Sequence, residues 1–259
     1  MKLDNELTVL IPMAGEGSRF ALEGYEVPKP LIDVSGEPMI MKAIKSLPAA
    51  KNYIFICRKE HIIKYKLNDI LNEISPKVNI IDIDFLTDGQ ASTCLLAEDY
   101  IHPEAQLIIG ACDNGMSWDK SKMETIISNK SIDALVWTFR NNVTVKRNPK
   151  MYGWVNTIAD DIIKNVSCKI PISGNPVRDH AIVGTFWFRR AKDFFDNTKE
   201  MIAENRKINN EFYVDEVINQ FIKNDYKIKI FEILHYLCWG TPNDLKLFKY
   251  WESFFLEEY

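Results

Sequence analysis

The stretch TVLIPMAGEGSRF, residues 8–20, decides the fold. A short apolar run reads as a buried strand and passes into Ala14, Gly15, Glu16, Gly17 and Ser18. Glycines at 15 and 17 can take positive φ and turn successive backbone N–H groups inward, so the loop reads as an anion nest. Arg19 adds a planar fork that suits phosphate oxygens. Lys29, between Pro28 and Pro30, adds a point charge on a segment whose prolines fix φ. The spacing is neither the P-loop GxxxxGK[ST] nor the dinucleotide GxGxxG that opens a helix. Taken alone, the loop reads equally well as a strand-to-loop turn with solvated charges.

Working outward, LTVLIPM (7–13), NYIFICR (52–58), VNIIDIDF (78–85) and AQLIIGACD (105–113) read as strands. Helical spacing over 60–74 and 90–101 separates them, which predicts βαβ units of a parallel sheet over the first 115 or so residues. Right-handed crossovers put the strand C-terminal ends on one edge, where open α/β sheets bind ligands. The glycine loop and Asp113 both fall at such ends. Beyond them, GWVNTIADDIIKNV (153–166) alternates like a hairpin, AIVGTFWFR is a strand, 190–206 and 211–224 are helical, KIKIFEI is a strand, and a helix follows Pro242. The fold class expected is α/β: a mainly parallel sheet flanked by helices, with an α+β subregion laid over its edge. One domain is expected over 1–259, divided into segments 1–140, 141–235 and 236–259, the last a closing helix.

The 259 residues are 46% hydrophobic and 26% charged, with net charge −4, enough for a buried core and without the basic stripe that nucleic acid or a membrane surface would require. Any bound anion must therefore be held by a local arrangement. MKLDNELTVL lacks the basic and apolar regions of a leader, and no run approaches a membrane span, so a cytoplasmic location is expected. The five cysteines are odd in number and widely spaced, and read as reduced core residues with Cys238 set aside. The aromatics of KYWESFFLEEY read as docked on the core or as a surface for a homo-oligomer.

The residue pattern resembles the nucleotidyltransferases, or pyrophosphorylases, that activate sugar phosphates and related phosphorylated alcohols. MAGEGSRF followed by PKPLIDVSGEPMI carries the likeness, and it resumes at GQASTCLLA, GACDN, YGWV, VGTFWF, EFYVDEVINQFI and WGTPNDL. The resemblance implies a Rossmann-like sheet with 1–140 as nucleotide-binding core and 141–235 as a small α+β acceptor cap, and with them a bound nucleoside triphosphate, a phosphorylated acceptor and Mg²⁺. It implies catalytic roles for Arg19 and Lys29, nucleotide contacts from Ala14 to Ser18, a base contact for Gln90, and acceptor contacts for Lys169 and Gly184. Asp113, which alone could be an Asx turn or the start of a Mg²⁺ site, matches the family's metal aspartate.

Three departures are plain. The second metal aspartate before the late Gly-Thr is replaced by Cys238 and Trp239, and a thiol is a poor Mg²⁺ ligand. Asp215 or Glu216 is then the expected replacement, unless phosphate and water complete the shell. Lys169 lacks the preceding glutamate of the family's Glu-Lys-Pro sequence. Arg178 stands before the cap strand, where a guanidinium could grip a carboxylate or phosphate. Glu16 in the loop leans toward the AxGxGxR form of cytidylyltransferases. CTP is thus the expected nucleotide. Within the family the chain looks similar to short stand-alone members of bacterial surface-polysaccharide assembly, and that resemblance implies surface-polysaccharide precursor synthesis with phosphoglutamine as the sharpest acceptor. A sugar 1-phosphate enzyme, a non-catalytic nucleotide-binding homologue and a glycosyltransferase are the competing readings; CDN at 112–114 lacks the DxD expected of the last.

Overall fold

The computed structural model describes residues 7–75 and 77–257. The reading of the N-terminus as free of a leader rests partly on residues 1–6, which lie outside the described residues. Strand β1 (Leu7–Pro12) runs into the glycine loop and α1 (Ser18–Leu22). A small hairpin, β2 (Asp33–Val34) and β3 (Glu37–Pro38), leads into α2 (Met39–Lys45). Then come β4 (Asn52–Arg58), α3 (Lys59–Tyr65), α4 (Leu67–Asn72), β5 (Val78–Ile83), α5 (Gln90–Leu95) and β6 (Gln106–Ile109). The remainder holds β7 (Asn114–Ser117), α6 (Lys120–Ser128), β8 (Ala134–Phe139), β9 (Gly153–Thr157), β10 (Ile163–Cys168), β11 (His180–Phe188), α7 (Ala191–Ala203), α8 (Val214–Lys223), β12 (Ile228–Glu232), β13 (His235–Cys238) and α9 (Pro242–Glu257).

β1 pairs in parallel with β4 on one side and β6 on the other, and β4 pairs in parallel with β5. The chain leaves β1 toward β4 and β5, then crosses back to lay β6 against β1's free edge. That reversal makes the crevice between the ends of β1 and β6 a topological switch point. The glycine loop follows β1 and Asp113 follows β6, so both expected site segments flank it.

The central strands β1, β4 and β6 are buried almost throughout because both faces are covered, whereas the edge strand β5 exposes Asn79 and Asp82. Leu10, Ile54, Ile56, Leu107 and Ile109 enter one core, while Val9, Ile11, Phe55 and Ile108 enter the other. The period-2 alternation of a strand thus feeds two apolar layers, as a sheet with helices on both faces requires.

β11 continues the sheet antiparallel to β6, and with β8, β9, β10 and β12 brings it to nine strands. Its register against β8 shifts between Ile182 and Phe186, around Gly184. Before the shift its other edge pairs with β9, and after it with β6. The sheet forks there, beside the end of β6.

Three local expectations change. The helix read over 60–74 is two helices, broken where Lys66 takes φ 50°. That over 90–101 ends at Leu95 and gives way to a 3-10 turn at Glu98–Tyr100. The segment read as a closing helix begins with a strand, β13, antiparallel to β7 with Cys238 opposite Asn114. On α9, Leu245 is buried while Tyr250, Trp251, Phe254 and Phe255 are exposed and pack on one another. Among the described residues no helix is long and apolar enough to cross a membrane.

The edge strand β10 is closed by a side chain. Asn219 of α8 accepts from the Val166 N–H at 2.8 Å and donates to its C=O at 2.9 Å, as a neighbouring strand would. Asn219→Ala leaves both backbone groups without that partner beside a buried valine, and should cost about 1–3 kcal/mol. The check is a lower urea midpoint with an unchanged m-value.

Candidate active site

Gly17 caps α1 with φ 64°, ψ 23°, in the left-handed region. A Cβ there would also lie 3.3 Å from the Lys29 Cβ, so both conformation and tight space favour glycine. Gly15 does not share this role: it is absent from the positive-φ residues and nothing lies within 4 Å of where its Cβ would be. The expectation that both glycines turn left-handed is corrected to Gly17 alone. The loop stays open at Gly15, Glu16 and Ser18, which are exposed, while Ala14 is buried beneath them.

Lys29 begins a 3-10 turn over Lys29–Leu31, entered from an extended Pro28. Its Nζ lies 5.8 Å from the centroid of the buried Phe20 ring and 2.5 Å from Asp113 Oδ2. Burial works against charge on both partners. Asp113 nevertheless outweighs it for Lys29, whose pKa is raised, and Lys29 with Arg19 outweighs it for Asp113, whose carboxyl is held below its ordinary range. Arg19 is exposed and makes no side-chain hydrogen bond or ion pair to the described residues. Gly15, Gly17, Ser18, Arg19 and Lys29 line one cleft of about 250 Å³ together with Cys112 and Gly240. The structure thus gathers the loop, both cations and Asp113 at the switch point.

The late Gly-Thr segment reaches the same place through β13. The Trp239 N–H donates to the Asp113 carbonyl at 2.9 Å, and a Cβ on Gly240 would lie 3.0 Å from the Asp113 carboxylate. Burial, followed by the charges of Asp244 and Asp113, pushes the Cys238 thiol up to about 12, so it stays protonated. Its Sγ lies 3.5 Å from Asp244, whose carboxylate also accepts from Thr241 Oγ1 at 2.6 Å in the first turn of α9. Among the described residues no group of three or more His, Cys, Asp or Glu side chains could hold a metal. Asp113 alone is the right chemistry for a hard cation that draws its remaining ligands from phosphate and water.

Asp215 and Glu216, read as possible second metal ligands, are placed elsewhere. Asp215 stands in the first turn of α8 against β9 and β10, and Gly153 is there because a Cβ would come within 2.1 Å of its Oδ2. Its charged neighbours are Lys169 and Glu216. Glu216 itself is paired with Arg206 at 3.0 Å. The structure therefore associates Asp215 with Lys169 and not with Asp113.

Lys169 is no loose surface lysine. It sits at φ 63° after β10, donates to the Met151 carbonyl at 2.5 Å, and holds its ammonium 5.1 Å from the Tyr213 ring centroid. Gly184 lies at the fork of β11 with φ 90°. Gln90 opens α5 on the same sheet edge but does not line the cleft. Arg178 is exposed and donates to Asn141 Oδ1 at 3.1 Å, outside the cleft.

The sequence reading missed a second cleft, of about 470 Å³, that shares Arg19 with the first. Thr144, Arg147, Asn148 and Tyr152 form one wall and the start of α9 the other. The signal was the Asn-Pro turn of RNPKMYGWV, directly before the quoted YGWV.

No protein-family model matches the chain. The bifunctional protein GlmU of Desulfotalea psychrophila is 24% identical over 240 residues, 88% of this chain; the chain spans 64% of that relative's length. A nucleoside-diphosphate-sugar pyrophosphorylase from Vibrio cholerae superposes with TM-score 0.76 at 19% identity, covering 93% of this chain and 98% of the other. The inositol-1-phosphate CTP transferase from T. maritima superposes with TM-score 0.71 at 14% identity, covering 95% of each. The expected fold class is borne out: this chain has the mixed, mainly parallel sheet flanked by helices found in these proteins.

Burial raises the Asp215 carboxyl to about 6, against Lys169, which opposes the shift. In an unfolded chain it titrates at about 3.9. Between these values the folded state holds the extra proton, so this group's contribution to stability falls as pH rises from about 4 to about 6. Asp215→Asn removes that loss. Its stability relative to wild type should be more favourable at pH of about 7.5 than about 4.5 in paired urea titrations, and a pH-independent difference would contradict the assignment.

Proposed function

We propose that this protein is a nucleotidyltransferase, moving a nucleoside monophosphate from a nucleoside triphosphate to a phosphorylated acceptor with release of pyrophosphate. The observation that carries the reading is the convergence of the Gly17 turn, Arg19 and the Lys29–Asp113 pair on one cleft at the switch point. Their chemistry fits this reaction. An acceptor phosphate oxygen attacks the α-phosphorus, the bond from that phosphorus to the bridging oxygen breaks, and pyrophosphate leaves with the electron pair. Little acid or base work is needed; bringing two polyanions together in line is the difficulty.

In the free protein Lys29 and Asp113 neutralise each other. A triphosphate in the loop offers Lys29 a stronger partner, and Asp113 is freed to hold a divalent cation. Mg²⁺, when bound there, would neutralise phosphate charge. Arg19 grips phosphate oxygens through its fork, and Lys29 stabilises charge developing around the α-phosphorus. The intact cations and Asp113 favour turnover over a binding-only homologue.

The finer reading is CMP transfer from CTP in the synthesis of a surface-polysaccharide precursor, with phosphoglutamine as the acceptor. Glu16 in the loop and the departures in the acceptor region support it. Sugar 1-phosphates are supported equally by the proteins that share the fold.

The test is pyrophosphate release with Mg²⁺, each of the four common NTPs, and acceptors spanning sugar 1-phosphates, phosphoglutamine and phosphocholine. Turnover with at least one pair is expected. Lys29→Ala should then lose about 100-fold in kcat/KM. A loss of only a few-fold would remove Lys29 from the role given to it.

A further inference from the structure

The second cleft is lined by a further exposed cation besides Arg19. The Arg147 guanidinium is exposed and makes no side-chain hydrogen bond or ion pair to the described residues. Its backbone, in contrast, is fixed. The 3-10 turn Val143–Lys146 is capped by Asn142 and anchored by the buried Val145, and the Arg147 N–H donates to the Thr144 carbonyl at 3.1 Å. On the other side the Trp154 indole donates to the Pro149 carbonyl at 3.0 Å. A rigid turn that presents a free guanidinium to a cleft is a prepared anion contact.

Arg19 belongs to both clefts, so a molecule lying in the second reaches the phosphate-binding first at one end. Apart from Arg19 and Arg147, the charges lining the cleft have partners among the described residues. Glu23 is paired with Lys246, and Asp244 accepts from Thr241. Beside the shared Arg19, Arg147 is thus the one cation lining this cleft without a side-chain partner among the described residues, and it stands among neutral hydrogen-bonding groups such as Thr144 and Asn148. A planar monoanion matches it, whereas a second phosphate dianion would meet too little positive charge beside Asp244.

We propose that the second cleft receives an acceptor bearing a carboxylate in addition to its phosphate, and that Arg147 binds that carboxylate through a bidentate contact. The proposal rests on the nucleotidyltransferase reading and narrows its acceptor class. Arg178, which the sequence offered for such a contact, is bonded to Asn141 away from the cleft.

The test is calorimetric titration of the whole chain with 3-phosphoglycerate and with glycerol 3-phosphate, which differ by the carboxylate. Wild type should bind the first at least about 10-fold more tightly, and Arg147→Gln should erase that preference. Arg147→Lys, which keeps the charge but not the fork, should retain part of it. Equal binding of the two probes by wild type, no binding of either, or a preference that survives in Arg147→Gln, would overturn the proposal. A preference that behaves as expected in a protein that releases no pyrophosphate with any NTP and acceptor would leave the carboxylate site standing and remove the reaction.

Discussion

The ion pair between Lys29 and Asp113 is the contact on which the site depends. The two residues are 84 positions apart and meet only because the chain reverses direction between β1 and β6. Neither charge would be comfortable alone in that crevice. An isolated ion taken from water is costly, and a buried pair broken on one side leaves the other charge uncompensated. Lys29 and Asp113 therefore keep one another ionised while the cleft is free of ligand. The same pairing makes each available to a stronger opposite charge. In the proposed reaction a polyphosphate would compete for the ammonium and its bound cation for the carboxylate, so loading the site would exchange one neutral arrangement for another.

Around that pair the protein withholds further acid. Cys238 stands beside Asp113, where a carboxylate would add a second anion, and its thiol stays protonated. The nearby Asp244 is engaged by Thr241 in starting α9. Asp215 is turned toward Lys169 by α8, and Gly153 gives it room. With one carboxylate at the cleft, a hard cation must complete its coordination with oxygens from ligand and solvent, which is how Mg²⁺ commonly sits among phosphates. In the proposed reaction, metal and nucleotide would then be bound as a unit.

The middle of the sheet was legible because β1, β4 and β6 are buried on both faces and read as apolar runs, and the glycine loop was legible because a left-handed φ of 64° at Gly17 favours glycine. The Lys29–Asp113 contact was not, since local pattern carries no information about which strand ends become neighbours. β13 escaped notice for a related reason. Its residues alternate between exposed and half-buried, and only pairing with β7 makes HYLC a strand. Asp215 was misplaced because helical position alone cannot say which neighbour a first-turn acid meets. Arg147 was overlooked because an arginine in an Asn-Pro turn looks like any solvated loop charge until a cleft is seen beside it.

The charge distribution explains why the site has to be built from rigid pieces. With net charge −4, the protein as a whole does not attract polyanions, so long-range steering contributes little to their capture. Screening at physiological ionic strength also confines each charge to roughly 8 Å. Affinity must come from cations already in position when the ligand arrives. Pro28 and Pro30 restrict the segment that bears Lys29, Gly17 sets the turn before Arg19, and the two 3-10 turns flanking Arg147 fix its backbone. In each case a residue with little conformational freedom holds the base of a long, mobile cation, so less entropy is lost when the charged end is fixed by a ligand. The protein thus obtains a local positive field without a basic surface, and only a ligand that fits between these anchors can use it.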